Sequence, residues 1–96
     1  MYFKKHITKD RIIIAICDEK LIGKKFSEGE YVLDISERFY KGEKKSFKEL
    51  EDILKNSENV NLVGEETIKF ATSLGIINKD SILKVKGIPH AQIIQI

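Results

Sequence analysis

After its leading arginine, the run Arg11-Ile12-Ile13-Ile14-Ala15-Ile16-Cys17 has no polar residue, and it limits what this chain can fold into more than any other feature. Such a run is too short for an ordinary helix and does not alternate as a half-exposed strand would, so it reads as a strand buried on both faces. A strand of that kind sits at the centre of a sheet and needs other parts of the chain packed above and below it. Upstream, Tyr2 to Ile7 reads as a second strand, joined to the first by the turn-sized polar gap Thr8-Lys9-Asp10. The two form a predicted hairpin.

Beyond it, Asp18 can cap a single turn carrying Leu21 and Ile22, which Gly23 can end with a positive φ. A third strand is predicted over residues 30–36, with Tyr31, Leu33 and Ile35 on one face and Val32, Asp34 and Ser36 on a wetter one. Residues 38–45 then lead out as a loop. Ser46 and Glu49 have the S-x-x-E spacing of a capping box, and Phe47, Leu50, Ile53 and Leu54 share one face of the helix it would start. Val60 to Val63 is long enough for one buried strand. After Gly64, Glu65 and Glu66 suit the first turn of a second helix with an inward stripe of Ile68, Ala71 and Leu74, closed by Gly75. Strands over 82–86 and 90–95 follow, separated by Gly87-Ile88-Pro89. The order ββ-β-α-β-α-ββ predicts an α+β fold, a single compact domain over residues 1–96 in which two helices pack on a mixed sheet. At 96 residues such a chain buries about 60 to 65% of its unfolded surface, enough to fold without metal or disulfide.

No apolar run approaches the roughly 18 residues that span a bilayer, and the start of the chain lacks the apolar core of a signal peptide. The single cysteine, Cys17, has no internal disulfide partner. Both features lead to the expectation of a cytoplasmic protein with no membrane association. The net charge of +2 is unevenly spread: residues 1–48 carry 12 Lys/Arg against 8 Asp/Glu, and residues 49–96 carry 5 against 7. The basic half places its lysines in small groups broken by acids, which suits a solvated surface as well as a nucleic-acid contact.

Cys17 and Asp18 stand where a buried strand meets a turn, a place from which a functional side chain can project. A nucleophilic Cys17 would need a base, for which His90 is the better placed histidine, with Asp18 or Asn61 to orient it. The same residues serve packing, since a small cysteine at a strand end is usually core. Cys17, Asp18, His90 and His6 are the only mixed set able to hold a metal, and their spacing matches no ligand pattern. No metal or cofactor is expected. Gly64 lies between a strand and a helix, where free amides can hold an anion, but the single glycine and the two acids after it disfavour a nucleotide. Phe39-Tyr40-Lys41-Gly42 mixes aromatics with a cation, as sites that stack bases do.

Taken together, Cys17-Asp18-Glu19-Lys20-Leu21-Ile22-Gly23-Lys24, Phe39-Tyr40-Lys41-Gly42, Asn61-Leu62-Val63-Gly64 and Pro89-His90-Ala91-Gln92 resemble, in this order, a small archaeal family known as domain of unknown function 424. The resemblance spans almost the whole chain. It implies a compact protein with no named cofactor or reaction, and a genomic neighbourhood of translation and ribosome-maturation genes that points to RNA or the ribosome. It directs interest to Cys17, Asp18, Gly23, Lys24, Tyr40, Gly42, Asn61, Gly64, Pro89, His90 and Gln92. The resulting expectation is an accessory binding module for RNA or a ribosomal particle, monomeric or homodimeric, with Lys24, Lys25, Tyr40, Lys41 and His90 as contacts. A small hydrolase using Cys17 and His90, and a protein-protein adaptor presenting an exposed strand edge, are the rival classes.

Overall fold

A computed structural model describes residues 1–94. The buried run becomes the centre of a six-stranded mixed sheet. Strands β1 (Tyr2–Ile7) and β2 (Ile12–Cys17) form the hairpin, Tyr2 facing Cys17 and Ile7 facing Ile12. On its other side β2 pairs in parallel with the strand at Asn59–Val63. From Ile14 to Cys17 no residue of β2 is more than 3% exposed. Both faces are covered along this stretch, whereas Ile12, 46% exposed, and half-buried Ile13 begin the strand outside the cover.

After a 3-10 turn at Glu19–Leu21, the strand expected over 30–36 is shorter, and a strand that the pattern does not predict precedes it. Strands β3 (Lys25–Glu28) and β4 (Tyr31–Asp34) form a hairpin and a separate two-stranded sheet. Gly29, at φ +62, turns the chain between them. The expected loop over 38–45 also carries structure. A one-turn helix, α1 (Glu37–Tyr40), is capped by Ser36, whose hydroxyl accepts from the Phe39 amide, and the two-residue strand β5 (Glu43–Lys44) pairs with Tyr2 and Phe3 of β1.

The capping box forms as the spacing predicted. Ser46 accepts from the Glu49 amide and the Glu49 carboxylate accepts from Ser46, opening α2 (Phe47–Asn56). Leu50 and Leu54 of α2 are fully buried, each contributing about 1.5 to 3 kcal/mol. Strand β6 (Asn59–Val63) leads through Gly64 into α3 (Glu65–Ser73), which buries Ile68 and Ala71. Strands β7 (Leu83–Val85) and β8 (Ile88–Ile94) end the described chain. The turn between them is Lys86-Gly87, with φ of 52° and 77°. Both residues take the left-handed conformation of a two-residue hairpin, so Ile88 and Pro89 fall inside β8 and not in the turn. Gln95, the expected last residue of this strand, lies outside the described residues. The sheet order is β5-β1-β2-β6-β8-β7. No described helix is long and apolar enough to cross a membrane.

Candidate functional site

Directly paired strand residues project from the same side of a sheet, so the registers sort side chains into two faces. On one face Ile14, Ile16, Val60, Leu62, Ala91 and Ile93 meet α2 and α3. On the other, Ala15, Cys17, Val63 and Val85 meet Leu21, Leu33, Ile35 and Tyr40, from the turn after β2, the β3–β4 hairpin and α1. This second face is only partly roofed. The hairpin rests against β7 and α1 against β1 and β2, while on this face Gln92 and Ile94 of β8 stay exposed and Asn61 of β6 and His90 of β8 are half-buried.

Two rows of side chains cross that face. The first is Tyr2, Cys17, Val63, His90 and Leu83 on β1, β2, β6, β8 and β7. Cys17 and His90 therefore share a row but are separated by all of β6, about 10 Å at two strand spacings. Cys17 has no exposed surface, and burial, followed by the neighbouring Asp18 charge, pushes its thiol up to about 12. A thiolate-imidazole pair needs hydrogen-bond contact and a lowered thiol pKa, and this geometry supplies neither.

Asp18 is occupied elsewhere. It is 1% exposed, and its carboxylate accepts from the amides of Glu66 (3.1 Å) and Thr67 (2.8 Å) and from the Thr67 hydroxyl (2.7 Å). It thus caps α3 from 48 residues away, satisfying amides that a helix start leaves open. Gly64 makes the approach possible: at φ +109 it favours glycine on conformation alone, and a Cβ there would lie 2.3 Å from the Asp18 Cγ. The Glu66 and Thr67 amides of this helix start, expected to be open to an anion, already hold Asp18. Among the described residues no three His, Cys, Asp or Glu side chains gather as metal ligands.

Tyr40 is 7% exposed, packed in the core beneath the hairpin with its hydroxyl pushed up to about 12 by burial and then by Cys17. Its ring is therefore not an open platform for a base, because the one-turn helix capped by Ser36 turns it inward. Phe39 instead stacks on His6, centroids 4.5 Å apart, and the Nε2 of His6 donates to the Phe39 carbonyl over 2.8 Å, which fixes the proton on that nitrogen. Of the expected cationic contacts, Lys41 lies 3.9 Å from Glu37, while Lys24 and Lys25 stand at the base of the hairpin without an ion pair among the described residues.

The second row is Lys4, Ala15, Asn61 and Gln92. Ala15 is buried, but Asn61 is half-buried and Gln92 exposed. The Gln92 Nε2 donates to the Asn59 carboxamide oxygen (3.1 Å), fixing which way that amide points. Asn61 and the half-buried His90 make no side-chain hydrogen bond among the described residues. Burial holds the His90 imidazole below its usual pKa, favouring the neutral ring. On β6 and β8 the structure therefore brings His90, Asn61 and Gln92 together on an open face, with Leu83, 56% exposed, beside His90. In the sequence Asn61 is a candidate only for orienting His90, and Gln92 is singled out only by the family resemblance, since a row of side chains depends on strand register.

Residues 6–96 match the family described as "Protein of unknown function (DUF424)". The chain belongs to this family. A DUF424 chain of this shape is also similar to a solved structure, the crystal structure of an uncharacterized conserved protein from Methanopyrus kandleri, with 28% identity and a TM-score of 0.78. The similarity covers 96% of this chain and 88% of that one, confirming the α+β architecture over essentially the whole domain. No curated protein matches the chain. Of the residues to which the resemblance directs interest, Cys17, Asp18, Tyr40, Gly42 and Gly64 lie in the core or serve the backbone. Asn61, His90 and Gln92 are the ones on the open face.

Proposed function

We propose that this protein is an accessory binding module for RNA or a ribosomal particle, and that it takes a single-stranded segment on the open β6–β8 face. The observation that carries the reading is the grouping of half-buried Asn61 and His90 with exposed Gln92 on β6 and β8, the Asn61 and His90 side chains making no hydrogen bond among the described residues. A carboxamide offers a donor and an acceptor side by side, the pattern that matches the edge of a base, and a neutral imidazole offers a flat surface on which a base stacks. Single-stranded RNA laid across a sheet is recognised in this way elsewhere, by stacking and edge contacts with cations holding the backbone outside. Lys24 and Lys25 at the hairpin base and Lys41 at the end of α1 supply such cations.

The test is titration of a short fluorescent single-stranded RNA at about 50 mM salt. Replacing Asn61 and Gln92 together by Ala should weaken binding at least about tenfold, one lost edge contact being worth about 1 to 3 kcal/mol. Lys24→Glu, Lys25→Glu and Lys41→Glu should each flatten the salt dependence by about 0.7 in slope. Absence of binding at that salt, or binding that none of these changes alters, refutes the reading.

A further inference from the structure

The molecule has a second open feature on the opposite side of the sheet. A groove of about 760 Å³ runs between the β1–β2 hairpin and the C-terminal half of α2. Its floor is apolar, with Ile12, Ile14 and Ile53, and its rim carries Lys5, Lys9 and Arg11. None of these three cations has an ion-pair partner among the described residues. Asp10 and Glu58, also on the rim, reduce the positive charge without cancelling it.

Alongside the groove lies an unfinished sheet edge. The amide of Thr8 donates to the Arg11 carbonyl (2.9 Å), and in the β1–β2 register this starts a series of bonded pairs that continues with His6–Ile13 and Lys4–Ala15. Bonded and non-bonded pairs alternate in an antiparallel ladder, so the N–H and C=O of Lys5 and Ile7 point outward, away from β2. β5, the only strand on that side among the described residues, pairs with Tyr2 and Phe3 and stops there. Gly42 is held against β1, where a Cβ would lie 2.3 Å from the Phe3 carbonyl oxygen, and the chain before it turns away into α1.

We infer that this edge and groove form a docking site for an extended acidic segment of a partner protein, which adds to the sheet as a strand along Lys5–Ile7. Main-chain bonds to the outward groups of Lys5 and Ile7 supply the pairing, acidic side chains on the groove face meet Lys5, Lys9 and Arg11, and the alternate apolar side chains turn to the other face beside His6. Charge complementarity selects the occupant. A second copy of this chain would bring a second set of Lys5, Lys9 and Arg11 to the same edge, gathering like charges where an acidic segment supplies opposite ones. Ile7 is 74% exposed, so it leaves an apolar contact available without being needed by the core.

The probe is a capped, fluorescent peptide of alternating Glu and Val, with a matched peptide of alternating Lys and Val. The acidic peptide should bind with a dissociation constant below about 1 mM and slow hydrogen exchange at the Lys5 and Ile7 amides, while the basic one does neither. Ile7→Pro removes an outward N–H without touching the β1–β2 bonds and should weaken binding at least tenfold, with the circular dichroism unchanged. Lys9→Glu with Arg11→Glu should do the same through charge, in a salt-dependent manner. Equal binding of both peptides, binding indifferent to Ile7→Pro, or displacement of the peptide by single-stranded RNA with RNA-induced shifts at Lys5 and Ile7 would each overturn the inference.

Discussion

Replacing Asp18 by Ala should be among the most destabilising substitutions this protein can suffer without a change in the volume of its apolar core. The carboxylate is 1% exposed and accepts three hydrogen bonds, two of them from Thr67 in the protein interior. Loss of a helix cap costs about 1 kcal/mol. The Thr67 amide and hydroxyl would be left without an acceptor, at about 1 to 3 kcal/mol each. The loss is then at least about 3 kcal/mol, a fall of about 12 °C or more in Tm for a domain of this size. Asp18→Asn keeps one acceptor oxygen but turns an NH2 toward an amide donor, so it should lie between the two. Gly64 supplies an internal control, because a methyl there would lie 2.3 Å from the Asp18 Cγ. In the Asp18→Ala background that clash is gone and Gly64→Ala should cost only its backbone strain, about 1 to 3 kcal/mol. Urea unfolding of the four proteins would give the cycle, with a coupling of at least about 1 kcal/mol expected. A loss below about 1 kcal/mol for Asp18→Ala, or additive effects of the two changes, would refute this assignment.

Two further expectations concern the first row of the open face. Cys17, buried and with its thiol pushed up to about 12, should react with iodoacetamide only as fast as the protein opens, at a rate unaffected by His90→Ala; rapid alkylation near pH 6 would contradict this. His90 is held below its usual pKa by burial, so the unfolded chain takes up a proton near pH 6.5 where the folded one still resists. Stability from this residue is therefore full above about pH 6.5 and is lost as pH falls through that value toward the folded pKa. Relative to His90→Asn, the urea midpoint of the wild type should fall more between about pH 7.5 and 5.5, and an equal or smaller fall would show that the imidazole is freely solvated.

Much of the fold is legible in local sequence because its causes are local. The run from Ile12 to Cys17 needs covering on both sides, and Ser46 with Glu49 opens a helix by their spacing alone. The β3–β4 hairpin is not legible, since Lys25-Phe26-Ser27-Glu28 has one apolar residue in four and becomes a strand only when paired with Tyr31–Asp34. Asp18 reads as a projecting group because its partners lie 48 and 49 residues ahead, on a helix brought to it by the β2–β6 pairing. The grouping of Asn61, His90 and Gln92 has the same origin. It requires the register of β6 on β8, which places Asn61 opposite Gln92 and Val63 opposite His90. No spacing within either segment encodes that pairing.

The open β6–β8 face is central to the functional reading, and its most direct test is an NMR titration with a short single-stranded RNA that follows the side-chain amide signals of Asn61 and Gln92 and the ring protons of His90. Saturable shifts concentrated on these three residues, weaker at higher salt and lost for the Asn61→Ala, Gln92→Ala protein, are the predicted result. Shifts that leave all three unmoved while the RNA binds elsewhere, or no shifts at about 50 mM salt, would contradict it.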